Sequence, residues 1–460
     1  MKSIAQIAAE LQGYDPQALS AADVLLFLSH LVEPVQEREE LPLFDALGRV
    51  LAADVVSPFD VPPHDNSAMD GYAFDGALLA AGTALELKVV GTALAGKAWQ
   101  GTLQPGECVK IMTGAIMPTG LDTVVPQEFV SIRTEPVEVP AAASTGSART
   151  QFITIPAKLL SSGDNRRLRG EDLLKDRPAL LKGELLTPAR LGLAASLGLR
   201  TVTTWRPLRV AYFSTGDEIL SPGEPPREGA VYDSNRYTVF GLLRRLGCEV
   251  LDMGVVRDDP ALLETAFAHA AAQADAIITS GGVSVGEADF TKAMMKKLGD
   301  VAFWKIAMRP GRPMAVGRIL QAKSTSSPLK TRVRSYQNDS NPNGAILFGL
   351  PGNPVAVMVT FLAFVRPALL QMMGCSAFAP PLLKARSLEP IRKKPGRTEY
   401  QRGIVSTAAD GSLQVKTTGN QGSGVLSSMA QANGLMVLHH GQGNVAEGEE
   451  VDVMMFEGVI

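Results

Sequence analysis

The sequence predicts a multidomain protein in which a doubly wound α/β domain lies between a helical and β-rich N-terminal region and a C-terminal β-barrel. Apolar strands alternate with amphipathic helices between residues 206 and 377, which is typical of a parallel sheet covered on both faces. Short strands separated by Pro and Gly lie on either side of this region. The length of 460 residues also exceeds the usual size of one domain.

Helical spacing of apolar residues marks three segments of the N-terminal half. Residues 20–33 follow this spacing behind Ser20, whose hydroxyl is a good N-cap, and residues 41–52 show similar spacing. Residues 187–198 begin with Thr and Pro, a capping residue followed by the residue favoured in a first helical turn. The spacing predicts a helix over each segment.

Strands are predicted where apolar and polar residues alternate or where a short apolar run is bounded by turn residues. In the β-rich region they are LELKVVGTA, ECVKIM and DTVVPQEFV. In the α/β region they are LRVAYFS, EVLDMGVV, DAIITS and ILFGL. In the C-terminal barrel they are YQRGIVS, LQVKTT, GLMVLH and EEVDVMMF.

Two segments interrupt this plan and resemble flexible surface insertions. Residues 131–152 are rich in Ala, Ser, Thr and Pro, and residues 321–345 are polar and basic. The predicted domains are therefore 1–54 with 165–205 (helical, discontinuous domain I), 55–164 (β-rich domain II), 206–377 (α/β domain III) and 378–460 (β-barrel domain IV).

Composition excludes several classes of protein. The chain has 44 Lys and Arg against 47 Asp and Glu, whereas a nucleic-acid binder usually shows a strong basic excess. Three widely spaced Cys form neither a disulfide framework nor a zinc knuckle. The N-terminus has no signal-peptide pattern, and no apolar run reaches the ~18 residues of a membrane span. We predict a cytoplasmic protein without nucleic-acid or membrane partners.

Two segments match the sequence patterns of catalytic motifs, but neither segment has the other residues that the chemistry requires. Residues 91–98 fit a phosphate-binding loop, but Ala98 replaces the hydroxyl that would bind magnesium. Residues 282–286 read GVSVG, like the nucleophile elbow of a serine hydrolase, but the later histidines, His439 and His440, lie in the barrel region. We therefore expect neither an ATPase nor a serine hydrolase.

Glycines and acids follow the strands of the α/β region. Gly281, Gly282, Val283 and Ser284 follow one strand and precede a helix, an arrangement that can cradle a phosphate or simply form a tight turn. Acids follow this strand and two others, and such loops meet at one edge of a parallel sheet. Clustered carboxylates suit Mg²⁺ held partly by substrate phosphates, although an acid such as Asp259 can also merely cap a helix. The acids are Asp217, Glu218, Asp258, Asp259, Glu287 and Asp289.

Basic and polar residues form the remaining clusters. Lys305, Arg309 and Arg312 lie close together in WKIAMRPGRP, and Arg397 is a further cation. Arginine binds tetrahedral oxyanions through its forked donors, and a solvated charged surface is the alternative interpretation. The segments DNSAMDGY and KIMTG place acids and hydroxyls in loops, as either turns or a binding surface.

The order of motifs resembles the molybdopterin molybdenumtransferase family, which includes the E domain of gephyrin. The resemblance covers nearly the whole chain except the two insertions. The matching motifs are PPHDNSAMDGYAF, KIMTGAIMPTG, RLRGEDL, FSTGDEIL, VYDSNR, VRDDP, ITSGGVSVGEADFTK, WKIAMRPGRPMAVG, GLPGNPVAV, PGRTEYQRG and GNQGSGVLSSMAQANGL.

The resemblance implies a homodimer of four-domain subunits with a molybdopterin-binding domain III. It also implies that adenylylated molybdopterin and molybdate react to give molybdenum cofactor and AMP, with Mg²⁺. Arg309 and Arg312 stand where many relatives have Lys. The matching functional positions are Asp70, Thr113, Asp172, Glu218, Asp258, Asp289, Lys305, Arg309, Arg397 and Ser423.

Roles for these positions follow from the implied reaction. We expect Glu218, Asp258 and Asp289 to hold Mg²⁺ on the adenylate phosphates. Lys305, Arg309, Arg397 and Ser423 would bind molybdate, and Gly281–Ser284 the pterin phosphate. Asp70, Thr113 and Asp172 are expected to complete the site from the partner subunit. Other candidate partners are the upstream adenylyltransferase and recipient molybdoenzymes. A catalytically inactive molybdopterin-binding scaffold and a molybdopterin adenylyltransferase are the alternatives.

Overall fold

The computed structural model describes residues 2–79, 82–136, 149–283, 290–320 and 344–456. The chain forms two compact units. The first comprises Met1–Ala53, Lys182–Leu191 and Arg200–Ile460, and the second comprises Asp54–Leu181 and Gly192–Leu199. The four predicted domains divide the chain more finely, and their boundaries stay a prediction.

The secondary-structure elements are numbered along the described chain. The helices are α1 Ile4–Glu10, α2 Ala21–Leu31, α3 Pro188–Ser196, α4 Ser234–Arg245, α5 Pro260–Gln273, α6 Phe290–Leu298, α7 Pro354–Thr360, α8 Arg366–Met372 and α9 Leu426–Gln431. The strands of the N-terminal half are β1 Arg38–Pro42, β2 Val55–Val56, β3 Asn66–Ser67, β4 Gly71–Phe74, β5 Leu85–Ala93, β6 Glu107–Ile111, β7 Thr123–Pro126, β8 Ser131–Pro136, β9 Arg149–Ile155, β10 Arg166–Arg167, β11 Pro178–Leu180 and β12 Thr201–Trp205. Those of the C-terminal half are β13 Arg209–Thr215, β14 Ile219–Leu220, β15 Val231–Tyr232, β16 Glu249–Val256, β17 Ala276–Ser280, β18 Gly299–Lys305, β19 Met308–Arg309, β20 Pro313–Ile319, β21 Ala345–Leu350, β22 Leu383–Ser387, β23 Thr398–Thr407, β24 Leu413–Thr417, β25 Gly434–Leu438 and β26 Glu450–Met455.

A six-stranded sheet forms the centre of the first unit, in the order β16-β13-β17-β21-β20-β18. Strands β16, β13, β17 and β21 are parallel, and β20 and β18 add an antiparallel hairpin at one edge. Buried side chains of α4 and α7 pack with residues of one face, and those of α5 and α6 with residues of the other. The predicted doubly wound α/β fold is confirmed.

The C-terminal part of the first unit is a closed barrel. Strands β23, β24, β22, β26 and β25 pair in turn, and β25 pairs back to β23. Inward-facing apolar residues such as Val415, Val451 and Val453 fill the interior. Strand β19 adds to β23 in parallel, so Arg309 lies opposite Glu399. The predicted C-terminal β-barrel is confirmed.

The second unit contains a six-stranded sheet in the order β7-β4-β6-β5-β9-β8. This sheet shows that the predicted insertion at 131–152 is wrong at both ends. Residues 131–136 pair antiparallel with residues 149–154, because each of these short segments carries β-branched residues that suit a sheet surface. Residues 137–148 lie outside the described residues, as do residues 321–343 of the other predicted insertion.

The helix predicted over 20–33 is confirmed by α2, which Ser20 caps through its hydroxyl oxygen. The helix predicted over 41–52 is wrong. Residues 38–42 instead pair as a strand with 201–205, and only a single 3₁₀ turn follows at Leu43–Asp45. Tertiary hydrogen bonding of this ladder outweighs the helical spacing of its apolar residues.

Helix α7, a π-helical turn and α8 form one continuous apolar helix over Pro354–Met372. By length and composition it could cross a membrane. It lies mostly inside the fold, however, where its side chains are part of the largest apolar core. The burial identifies it as a core helix.

A buried ion pair joins the segment before β13 to the segment before β17. The guanidinium of Arg206 is 7% exposed and donates to both carboxylate oxygens of Asp275, 3% exposed, at 2.7 and 2.8 Å. Glu37 also accepts from Arg206, and Asp275 accepts from the Arg209 N–H at 2.8 Å. The pair therefore fixes the starts of two neighbouring parallel strands.

Replacing Arg206 with Met should lower the free energy of unfolding by about 3–5 kcal/mol, because Asp275 would be left as an unpaired buried charge. Arg209→Met is the matched control, since Arg209 pairs with the exposed Glu249 and such surface pairs contribute about 1 kcal/mol or less. Denaturant unfolding measures both values. Equal losses in the two variants would contradict the role of the buried pair.

Candidate active site

Two adjoining cavities lie in the first unit where parallel strands of the central sheet end. Their volumes are about 530 and 520 Å³. Both are lined by Glu218, Gly281, Gly352 and Asn353, so they form one continuous cleft. The carboxyl ends of parallel strands are the usual ligand-binding edge of an open α/β sheet.

The glycine turn after β17 allows a close backbone contact at this edge. Gly281 and Gly282 have φ values of +90° and +66°. A Cβ at Gly281 would lie 2.4 Å from the carbonyl oxygen of Thr215, at the end of β13. Glycine is therefore required there for both its conformation and its size.

The structure assigns different surroundings to the predicted phosphate-binding residues. The Gly281 N–H donates to the carbonyl of Leu350 at 3.2 Å. Gly282, like Gly281, lines the cleft. The side chain of Val283 is buried in the apolar core beneath the turn. Ser284 and the predicted metal ligand Asp289 lie outside the described residues, as does Glu287.

Acids from two neighbouring strand ends come together as predicted. Asp217 and Glu218 follow β13, Asp258 follows β16, and the Asp258 N–H lies 3.4 Å from Asp217 Oδ1. Burial, with the charges of Asp217 and Glu218, raises the pKa of Asp258. Like charges held this close favour binding of a cation. Within the described ranges, no group of three or more His, Cys, Asp or Glu is placed to hold a metal ion.

The positive side of the cleft comes from β19 and from a loop between β24 and α9. Arg309 lines the first cavity together with Gln421, Gly422 and Ser423. The carbonyl of Ser423 accepts from the Val355 N–H at 3.1 Å, which attaches this loop to the first turn of α7.

The other predicted cations lie outside the lining of these two cavities. Lys305 is half-buried at the end of β18, and Arg312 is exposed. Arg397 pairs with the buried Glu399, with its Nη2 2.7 Å from Oε1. Much of the Arg397 charge is therefore compensated within the barrel.

Buried acceptors near the second cavity were not singled out from the sequence. Thr215, Asp233 and Asn235 line this cavity, and each has a buried side-chain oxygen without a hydrogen-bond partner in the described structure. The motif VYDSNR contains Asp233 and Asn235, but the sequence of this motif does not distinguish a helix cap from a binding site. Asp233 does cap α4 through its other oxygen.

The remaining predicted residues belong to the second unit. Asp70 Oδ1 accepts from the Thr113 N–H at 2.7 Å and from its hydroxyl at 2.8 Å. These two hydrogen bonds, the backbone one first, lower the pKa of Asp70. The side chain of Asp172 is exposed, and its N–H donates to the carbonyl of Val61 at 3.0 Å. Asp70 is thus held as an ionised carboxylate with one oxygen left for another contact.

Family comparisons cover most of the chain in three segments. Residues 18–198 match the MoeA N-terminal region, domains I and II. Residues 211–371 match a family described as "probable molybdopterin binding domain". Residues 384–456 match the MoeA C-terminal region, domain IV.

Full-length relatives agree with these matches. The molybdopterin molybdenumtransferase of Haemophilus influenzae is 39% identical over 434 residues, which is 94% of this chain and 97% of the relative. That of Nostoc sp. is 33% identical over 445 residues, 95% of this chain and 93% of the relative. The crystal structure of the molybdopterin biosynthesis moeA protein from Pyrococcus horikoshii is similar with a TM-score of 0.72 and 25% identity, covering 95% of this chain and 100% of that chain.

Replacing Asp258 with Asn should raise the melting temperature at neutral pH. The pKa of Asp258 is raised in the folded protein, so its ionised form destabilises the fold as pH rises above the unfolded value. Asn lacks this charge. The gain should disappear below about pH 4, where Asp258 is protonated in both the folded and the unfolded state.

Thermal unfolding across pH measures this effect, with Asp259→Ala as the control. Asp259 accepts from two N–H groups at the start of α5, so its loss should instead lower stability by about 1 kcal/mol. A lower melting temperature for Asp258→Asn throughout the pH range would show that the ionised form of Asp258 does not destabilise the fold.

Proposed function

Because this chain belongs to the molybdopterin molybdenumtransferase family, we propose that it transfers molybdenum from molybdate to adenylylated molybdopterin, giving molybdenum cofactor and AMP. The family is one of transferases in molybdenum cofactor biosynthesis. The adenylylated substrate, the release of AMP and the need for Mg²⁺ are the parts that we propose.

The observation that carries the proposal is that Glu218, Arg309 and Ser423 line the same cavity of the cleft. Molybdate is a tetrahedral dianion, and the planar guanidinium of Arg309 can donate to two of its oxygens. The Ser423 hydroxyl can donate a further hydrogen bond. A bound anion would then share one cavity with Glu218, a member of the acid cluster.

The acids suit a divalent cation. Glu218 and Asp258, together with Asp289, would hold Mg²⁺, because hard cations prefer carboxylate oxygens. Burial, and then the charges of Asp217 and Glu218, raise the pKa of Asp258, so a cation at this edge would stabilise its ionised form. When bound, Mg²⁺ supplies positive charge to the phosphates of the adenylylated substrate.

The second cavity suits the heterocyclic part of the substrate. Pterin and adenine both carry amino groups, and the unpartnered oxygens of Thr215, Asp233 and Asn235 are hydrogen-bond acceptors. Gly282, in the turn shared by the two cavities, supplies a backbone N–H for a phosphate oxygen. The cleft would in this way orient the substrate with its phosphates near the acids.

Other parts of the proposal follow the family resemblance. We propose a homodimer that acts in the cytoplasm and passes its product to molybdoenzymes. An inactive scaffold and an adenylyltransferase remain the alternatives to be tested. The clustered acids favour catalysis over scaffolding, because a scaffold gains nothing from carboxylates that repel one another.

The test is AMP release from adenylylated molybdopterin, with and without molybdate and Mg²⁺. We expect AMP only when molybdate is present. Arg309→Gln should raise the KM for molybdate about 10- to 100-fold, the loss of a charged hydrogen bond of about 1.5–3 kcal/mol. Arg312→Gln is the control and should leave this KM unchanged, because Arg312 is also exposed but does not line either cavity.

Two results would contradict the proposal. Absence of AMP under all conditions would favour the scaffold. Formation of adenylylated molybdopterin from ATP and molybdopterin, without molybdate, would favour the adenylyltransferase.

A further inference from the structure

We propose that the buried Arg402 is a positioning residue for the oxyanion side of the cleft. It holds the Gln421–Ser423 loop in place and adds an uncompensated positive charge behind it. This inference rests on the proposed function, because it assigns molybdate as the anion that the loop and Arg309 bind.

The side chain of Arg402 is enclosed by the loop that it holds. Arg402 lies in β23 and is 0% exposed. Its Nη2 donates to the carbonyls of Asn420 at 3.1 Å and Gly422 at 3.0 Å, and its Nη1 to that of Gln421 at 3.2 Å. Its Nε donates to Ser428 Oγ at 3.0 Å, in α9. One guanidinium therefore fixes three successive carbonyls immediately before Ser423.

The main chain of Arg402 binds the same loop a second time. Its N–H donates to Gln421 Oε1 at 2.8 Å, and Gln421 Nε2 donates back to its carbonyl at 3.1 Å. Gln421 and Gly422 also line the cavity with Ser423 and Arg309. The position of the cavity wall is thus set by Arg402, which is not itself part of that wall.

The charge of Arg402 has no carboxylate partner among the described residues, because the four groups that accept from its guanidinium are a hydroxyl and three carbonyls. Burial, and then the charge of the nearby Arg309, lower the pKa of Arg402 to about 10. A buried cation without a counter-ion is costly. A dianion bound beside Arg309 would offset this cost, so Arg402 should strengthen anion binding as well as shape the loop.

If Arg402 had only a structural role, its replacement would lower stability without changing molybdate binding. The test therefore needs a control variant that lowers stability alone. Arg318 provides it. Its guanidinium is half-buried and donates to the carbonyls of Lys2 and Leu31, and burial lowers its pKa. It lies near the end of β20, outside the residues that line the cleft.

The experiment compares the full-length wild type with Arg402→Met, Arg402→Lys and Arg318→Met. Two quantities are measured: the rise in melting temperature on adding molybdate, with sulfate as the anion control, and the KM for molybdate in AMP release. Arg402→Met and Arg318→Met should both melt earlier without ligand. Only Arg402→Met should lose the molybdate-induced rise and increase the KM at least about 10-fold.

Arg402→Lys keeps the charge but cannot bond four acceptors, so we expect a KM between those of the wild type and Arg402→Met. It also provides the test if Arg402→Met does not fold. A wild-type KM in both Arg402 variants would overturn the inference, as would an equal KM increase in Arg318→Met. A wild type that neither responds to molybdate nor releases AMP would instead overturn the proposed function, and this inference with it.

Discussion

The contact between the Gly281 turn and the carbonyl of Thr215 is the constraint on which the candidate site depends. A Cβ at Gly281 would meet this oxygen at 2.4 Å, so the ends of β13 and β17 approach as closely as two backbones can. This approach places the glycine turn beside Glu218. Pairing of β16 with β13 adds Asp258, whose pKa is raised by burial and then by the charges of Asp217 and Glu218 at the same edge.

The positive side is built by a different part of the fold. Parallel pairing of β19 with β23 connects the central domain to the barrel and places Arg309 opposite Glu399. Three residues further along β23, the enclosed Arg402 fixes the loop that ends at Ser423. The net charge of −3 is near neutral, although acids are clustered at the strand ends and cations where β19 pairs with the barrel. The raised pKa of Asp258 and the lowered pKa of Arg402 mean that the charged form of each side chain destabilises the folded protein. A cation bound near Asp258 and an oxyanion bound near Arg402 would offset this loss of stability.

The sequence predicted the fold class and several strands to within a residue, because segments such as EVLDMGVV and LELKVVGTA are short, rich in apolar residues and separated by turn residues. It failed for 41–52, where pairing with a distant strand decides the conformation. Arg309, Ser423 and the acids were predicted from motifs. The role of Arg402 was not predicted, because the sequence does not distinguish an arginine enclosed by carbonyl groups from one in solvent. The pairing of Arg397 with Glu399 was missed for the same reason.

The proposed function requires that the cavity lined by Arg309, Ser423 and Glu218 binds an oxyanion. Anomalous scattering from crystals of the protein soaked in molybdate tests it most directly, since molybdenum can be located without assumptions about the site. We expect an anomalous peak at the centre of a molybdate ion whose oxygens lie within hydrogen-bond distance of the Arg309 guanidinium and the Ser423 hydroxyl. A peak bound elsewhere, for example beside Arg227 and Arg257 in the neighbouring polar cavity, with none at Arg309, would contradict it.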